Sequence, residues 1–318
     1  MKPDESIFQR LYSEEAFEDR YLSNPEGALD IVIPIIHTNE LWEKNLISIY
    51  REIPVKRLLL GDGGCKDNSL AVAGKFPRVH VFDHTGYKTL GFSIRKLVEE
   101  VETEWFLYLH SDVYIPDGWF DSMQSYQGQY DWYECEQQIT MLIEYPNLFR
   151  NSPRGFGFGG TQMGRKAAFD DMLAEIDDDY LYRNEDIVIR SLLQNKGHKW
   201  GIVESLFHYH INMHKPGPLN RKVESLSCKV SMTREEEIRT NDMQIRGYVK
   251  YMQPTPVTID ESQDCLLWLL DAGAVTHREF LDWVSATNPS WLPYLGKRGL
   301  FKKNMRKFMK RVYTILFA

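Results

Sequence analysis

The stretch W-F-L-Y-L-H-S-D-V-Y-I-P, Trp105 to Pro116, decides the fold. Trp105 to Leu109 has the length and the apolar, aromatic composition of a buried strand. It ends abruptly in His110, Ser111 and Asp112. Polar groups delivered at the carboxyl end of a buried strand stand where open α/β sheets place ligands. A carboxylate held there can bind a divalent cation, and a cation can neutralise a diphosphate.

Working outward, Ile31-Val-Ile-Pro-Ile-Ile36 is a strand, and Asn39 to Tyr50 carries Leu41, Leu46, Ile49 and Tyr50 at helical spacing. Val55 to Leu60 is the next strand, broken by Gly61-Asp62-Gly63-Gly64. A short helix near Asn68 to Lys75, a strand from Val79 to Phe82 and a helix from about Gly91 to Glu102 lead to the central strand. Four strands alternating with three helical segments predict right-handed β-α-β units in a largely parallel sheet, helices on both faces. This α/β half has the pattern of a nucleotide-binding domain.

The remainder is less regular. Strand-like stretches around Trp132 and Ile139 to Glu144 precede a glycine-rich loop, Arg154 to Thr161, and a helix from Arg165 to Ile176. Asn184-Glu185-Asp186 opens a helix to about Asn195, with Gly197 as its stop, and Trp200 to His210 is a final strand continuing to His214. Helices follow at Asp260 to Asp271 and His277 to Ser285, after a break at Pro254 and Pro256. The expected organisation is a helical lead-in over 1–28, a catalytic domain over 29–219, a helical region over 220–296 and a basic amphipathic helix over 297–318. In the lead-in, Phe8, Leu11, Tyr12 and Phe17 lie loosely on one helical face, ready to pack on the main domain.

Length and composition set outer bounds. The 318 residues, 43% hydrophobic and 26% charged, suit a soluble globular chain with a sizeable core. No stretch reaches the roughly 18 apolar residues of a membrane span, and the first twenty residues lack a signal-peptide pattern. Cys65, Cys135, Cys228 and Cys265 are too dispersed for a zinc knuckle or a disulfide framework. These features predict a cytoplasmic protein. The net charge of −7 conceals eight Lys and Arg residues and no acid after Gly296, which leaves −15 on the remainder. That excludes general nucleic-acid binding. In the tail, Phe301, Met305, Phe308, Met309, Val312, Tyr313 and Leu316 recur at spacings of four and three, with the lysines and arginines expected on the other face. Such a helix suits the anionic inner face of a membrane.

The order of a V-I-P-type first strand, an acidic G-D-G-G turn, a strand ending in H-S-D and a later E-D at a helix start resembles the family 2 glycosyltransferases of the GT-A fold. The resemblance covers about Asp30 to His214. It implies a sugar transferred from a nucleoside-diphosphate sugar to a saccharide, glycolipid or other hydroxyl acceptor, with Mg2+ or Mn2+ as cofactor. Pro34, Ile35 and His37 would then flank the nucleotide, Asp62 would accept from the base, and Ser111 and Asp112 would meet the metal and diphosphate. His110 replaces the first aspartate of the family's D-x-D and is read as a packed side chain. His208 and then His210 are the expected further metal ligands, and Arg95 a diphosphate contact. Asp186 corresponds to the general base of inverting members, supported by Glu185. A carboxylate at a helix start is physically suited to take an acceptor's proton.

Three other readings share the same residues: a retaining enzyme of the same fold, an NAD-binding dehydrogenase, and a membrane-bound scaffold without catalysis. The dehydrogenase would use Gly155, Gly157 and Gly160, which fit G-x-G-x-x-G. That loop lies far from the first β-α unit, which argues for a loop shaping an acceptor site instead.

Overall fold

The computed structural model describes residues 15–317 apart from 37, 39–40, 144–147, 150–158, 181–184, 217–222 and 226–232. Over 139–149, 211–216, 223–225, 307 and 310–317 the description is of the backbone alone. The strands are β1 (Leu29–Ile35), β2 (Val55–Asp62), β3 (Val79–Asp83), β4 (Trp105–Leu109), β5 (Val113–Tyr114), β6 (Trp132–Ile143), β7 (Leu148–Phe149), β8 (Thr161–Arg165), β9 (Trp200–Pro216) and β10 (Val223–Ser225). Among them run α1 (Trp42–Glu52), α2 (Ser69–Ala73), α3 (Leu90–Glu99), α4 (Trp119–Gln124), α5 (Lys166–Leu173) and α6 (Glu185–Asn195). Five helices close the chain: α7 (Arg234–Tyr251), α8 (Pro256–Asp271), α9 (His277–Thr287), α10 (Leu292–Leu295) and α11 (Lys297–Phe317).

The chain forms two compact units, Met1–Asp178 with Leu192–Val230, and Asp179–Ser191 with Ser231–Ala318. The first is the expected α/β sheet, in the order β10-β9-β6-β8-β4-β1-β2-β3. β4, β1, β2 and β3 are mutually parallel. The connection from β3 crosses back past β1, so the direction of winding reverses between β1 and β4, the kind of crevice in which open sheets bind ligands.

Alternation along the strands explains the two helical layers. Ile31, Ile33 and Ile35 of β1 join Leu58 and Leu60 of β2 and Leu107 and Leu109 of β4 in one buried cluster with Trp42, Leu46, Ile49 and Tyr50 of α1. Val32, Leu59, Phe106 and Tyr108 point to the opposite face and are just as buried. α3 packs on β1 and β2 and contributes Ile94, Leu97 and Val98 to the core, all fully buried and outside the α1 cluster. Each fully buried Leu or Ile contributes about 1.5–3 kcal/mol.

Past β4 the sheet departs from the expected pattern. Thr161–Arg165, which the sequence reading left between the end of a loop at Thr161 and a helix start at Arg165, is β8, antiparallel to both β4 and β6. The two strand-like stretches after Trp132 are one strand, β6, which pairs in parallel with β9. In the lead-in the described residues hold a 3-10 turn at Arg20–Leu22 instead of an α-helix. Phe17 packs there against Tyr50 and Phe76, with ring centroids 5.7 and 5.5 Å away. Phe8, Leu11 and Tyr12 lie outside the described residues.

In the second unit α7, α8 and α9 each start at a threonine that caps the first turn: Thr233, Thr255 and Thr276. Trp291 is fully buried and donates its indole N–H to the Met252 carbonyl at 2.9 Å. Gln263 of α8 donates to the Tyr294 carbonyl at 2.8 Å. No helix among the described residues is long and apolar enough to cross a membrane.

One buried base couples the sheet to pH. His84, just after β3, places Nδ1 2.6 Å from Ser93 Oγ of α3, and a Cβ on Gly61 would lie 2.5 Å from that nitrogen. Burial, opposed by the charges of Asp83 and Asp62 and aided by Lys96, pushes the imidazole down to about 4. Below an ordinary value near 6.5 the unfolded chain therefore takes a proton that the folded chain refuses. Stability is expected to fall by roughly 3 kcal/mol as pH drops from 6.5 to 4, measured by urea unfolding, and His84→Gln should flatten that slope.

Candidate functional site

The turn after β4 is held from α1. Asn45, Ser48 and Glu52 share one face of that helix, at spacings of three and four. Asn45 Nδ2 donates to the Ser111 carbonyl at 2.8 Å. Ser48 Oγ accepts from the Ile115 amide at 3.0 Å, and Glu52 accepts from the Gly118 amide at 2.7 Å. Arg51 adds a bond to the Ile115 carbonyl at 3.1 Å. The buried polar side of α1 therefore fixes the segment that carries Asp112.

Asp112 meets His210 of β9, with Oδ2 and Nε2 2.8 Å apart. The other ring nitrogen, Nδ1, lies 2.9 Å from Gln137 Oε1. Both nitrogens of this imidazole are therefore engaged, one by the carboxylate and one by the amide of Gln137. His110 completes the group: its Nε2 lies 2.9 Å from the Tyr108 hydroxyl, and its ring stands edge-on to His210 at 5.8 Å. Ligand-capable atoms of His110, Asp112 and His210 all lie within 4.8 Å of one another, the one such group of three found among the described residues. Desolvation pushes the Asp112 carboxyl up, but the charge and hydrogen bond of His210 and the charge of His110 outweigh it and hold the group down at about 2. It is an anion at neutral pH.

A bulge makes this contact possible. Cys135 of β6 pairs with Val203, yet Glu136 pairs with Phe207, so Glu204, Ser205 and Leu206 are extra on β9. Ser205 takes a left-handed φ of 66° to form it. Three is an odd number, and it flips the face that later residues occupy. His208 and His210 consequently join Cys135 on the face they would otherwise oppose.

His208 lies beside this group without belonging to it. It is fully buried, with Nδ1 2.8 Å from Thr161 Oγ1 and 3.4 Å from Cys135 Sγ. Its Nε2 is buried without a partner, against the Cα of Gly160. Burial first, then the charges of His210 and His110, holds it far below its ordinary value, against Asp112, so the ring is neutral. Of the histidines named from sequence as metal ligands, His210 joins the group and His208 does not; His110, read as packing, takes the third place. Gly160 has a local reason for being glycine, with φ +94° and a Cβ position 2.6 Å from His208 Nε2.

Other expected residues fall as follows. Ile35 and Asp62 pair at the ends of β1 and β2, with Pro34 opposite Gly61. Asp62 Oδ1 closes its own turn, accepting from the Gly64 and Cys65 amides at 2.9 and 2.8 Å. β2 lies two strands from β4, roughly 10 Å. Ser111 contributes its carbonyl to Asn45, as above. Arg95 is committed elsewhere: Nε donates to Glu99 at 2.8 Å and another nitrogen to the Ile176 carbonyl, which ties α3 to the segment after α5 instead of leaving the guanidinium for a diphosphate. His37 and residues 154–158 of the glycine-rich loop lie outside the described residues. Glu134 of β6, a buried acid that the sequence reading passed over, accepts from the Gly159 amide at 3.2 Å and faces Gln162.

Glu185 and Asp186 are in the second unit, in the first turn of α6, and both are buried. The Tyr180 hydroxyl donates to the Glu185 carbonyl at 2.7 Å and its ring stands edge-on to Tyr251. Burial, then the two carboxylates, raises the Tyr180 phenol far above its ordinary value, so it stays a donor.

No family model matches the chain, and no curated protein matches it. Among solved structures it is similar to the 1–349 fragment of S. aureus TarS in complex with UDP-GlcNAc, at 13% identity and a TM-score of 0.48, covering 74% of this chain and 71% of that one. The same fragment with UDP gives 12%, 0.47, 80% and 77%. The bifunctional IspDF from Campylobacter jejuni gives 14%, 0.37, 55% and 49%. All three lie below a TM-score of 0.5, and no assignment follows from them.

Two substitutions check the site's scaffold. Asn45→Ala leaves the Ser111 carbonyl unsatisfied and should lower stability by about 1–3 kcal/mol in chemical denaturation. Gly160→Ala should cost about as much, from the left-handed backbone and the His208 clash; a double-mutant cycle with His208→Ala should give a coupling above roughly 0.5 kcal/mol.

Proposed function

We propose that this chain is a metal-dependent glycosyltransferase that moves a sugar from a nucleoside-diphosphate sugar to a hydroxyl acceptor, with inversion at the anomeric carbon. The observation that carries the reading is the group His110, Asp112 and His210, assembled at the carboxyl end of β4 beside the reversal of winding. It stands where the H-S-D resemblance expects diphosphate chemistry.

Two imidazoles and a carboxylate suit Mn2+ better than Mg2+, which prefers an all-oxygen shell. A cation held there supplies charge neutralisation to a departing diphosphate. Asp112 is already an anion and binds without first losing a proton. Gln137 and Tyr108 orient the two imidazoles, the service that neighbours of metal ligands commonly provide. Asp62 serves the nucleoside: with Oδ1 used by its turn, Oδ2 is the oxygen that would accept from a base, and the roughly 10 Å between β2 and β4 separates base from diphosphate. Asp186 is the proposed base. An acid in the first turn of a helix is favoured as the anion by the helix dipole, the form that accepts a proton from an attacking hydroxyl. Glu185 supports it.

The test is a panel of nucleotide sugars scored for Mn2+-stimulated hydrolysis and transfer, with Mn2+ affinity measured separately by electron paramagnetic resonance. Asp112→Ala should weaken Mn2+ binding at least tenfold and remove donor turnover. Asp186→Asn should keep donor and Mn2+ affinity within about threefold while transfer falls by 10²-fold or more. Full turnover by Asp112→Ala would sink the proposal.

A further inference from the structure

The last helix turns its apolar side outward. Within the second unit, α11 packs on α8 and α10, and among its described side chains those it buries are Leu300 and Lys303. Lys303 is 8% exposed and is held by Asp260 and Asp264, 3.3 and 3.1 Å away. At about 100° per residue, Phe301, Met305, Phe308 and Met309 fall on a separate arc roughly 100° wide. They are 65%, 45%, 60% and 58% exposed. A terminal helix covering its own domain would bury this stripe, so intramolecular docking does not account for it.

Charge says what covers it. Lys297, Arg298, Lys302 and Arg306 have no acidic partner among the described residues and line a cleft of about 990 Å³ beside the stripe. The sequence places eight basic residues and no acid after Gly296. Two copies stacked through the stripe would bring these like charges together. Nucleic acid would match the charge but would leave the phenylalanines and methionines in water. An anionic bilayer satisfies both parts, taking the apolar side chains below its headgroups and setting lipid phosphates against the basic flank.

We propose that α11 is a membrane-docking surface, which lies on an anionic lipid bilayer through Phe301, Met305, Phe308 and Met309, with Lys297, Arg298, Lys302 and Arg306 meeting the headgroups. This inference does not depend on the catalytic reading above.

Vesicle flotation of the full chain tests it. The chain should float with vesicles of phosphatidylglycerol and phosphatidylcholine and stay behind with phosphatidylcholine alone. Phe301→Glu/Phe308→Glu should lower binding by more than tenfold. Lys302→Ala/Arg306→Ala should lower it by roughly 25-fold, at about fivefold per charge. All four positions are exposed, and an unchanged thermal melt verifies the fold of each variant. Equal flotation with both vesicle types, no flotation at all, or a dimer in sedimentation that the Phe301/Phe308 variant dissolves would each overturn the proposal.

Discussion

Parity is the constraint on which the site rests. A side chain on a strand has two faces to choose from, and an even insertion changes nothing while an odd one exchanges them. Between Val203 and Phe207 the chain spends three residues on this exchange and accepts a left-handed serine to do so. Only then does His210 share a face with Cys135 and come within hydrogen-bond distance of Asp112. A regular strand would have sent both histidines to the other side of the sheet, and the anion after β4 would have lacked its imidazole.

The rest of the site is a matter of holding that pair still. α1 does so from one side with buried polar groups, and Gln137 and Tyr108 do so by orienting the two rings. Next to them the environment changes sharply over one turn of strand. His208 is sealed in with Thr161 and Cys135 and stays neutral, whereas Asp112 keeps its charge. Burial acts against the charged form in both cases. The difference lies in the neighbours: positive ones favour an anion and oppose an imidazolium.

Much of this architecture was legible in the sequence, for a definite reason. β1 to β4 and their helices bury whole faces, so apolar spacing marks them, and Trp105–Leu109 has the expected bounds. β8 was missed because Thr161-Gln-Met-Gly-Arg165 has little that marks a strand: it is buried by its neighbours on the sheet and not by its own hydrophobicity. Asp112 and His210 were recognisable because polar groups after an apolar run are conspicuous. Their third partner was not, since nothing in H-S-D says which way His110 turns. The bulge was equally hidden, because Val203-Glu-Ser-Leu206 contains no glycine to announce it. The polar side of α1 drew no reading from the sequence, as hydrophobic spacing cannot distinguish a residue bonded to a neighbouring loop from one bonded to water.

The discontinuous layout of the first unit has a consequence for biosynthesis. The unit leaves off at Asp178 and resumes at Leu192, so its sheet has no strand between Arg165 and Trp200, and β9, the longest strand among the described residues, is among the last to be made. While a ribosome is still translating the segment before residue 200, β6 has no parallel partner and the imidazole destined for Asp112 does not yet exist. The nascent chain therefore displays an open, aromatic-lined sheet margin until nearly two thirds of it has emerged, the interval in which a holding chaperone would matter most.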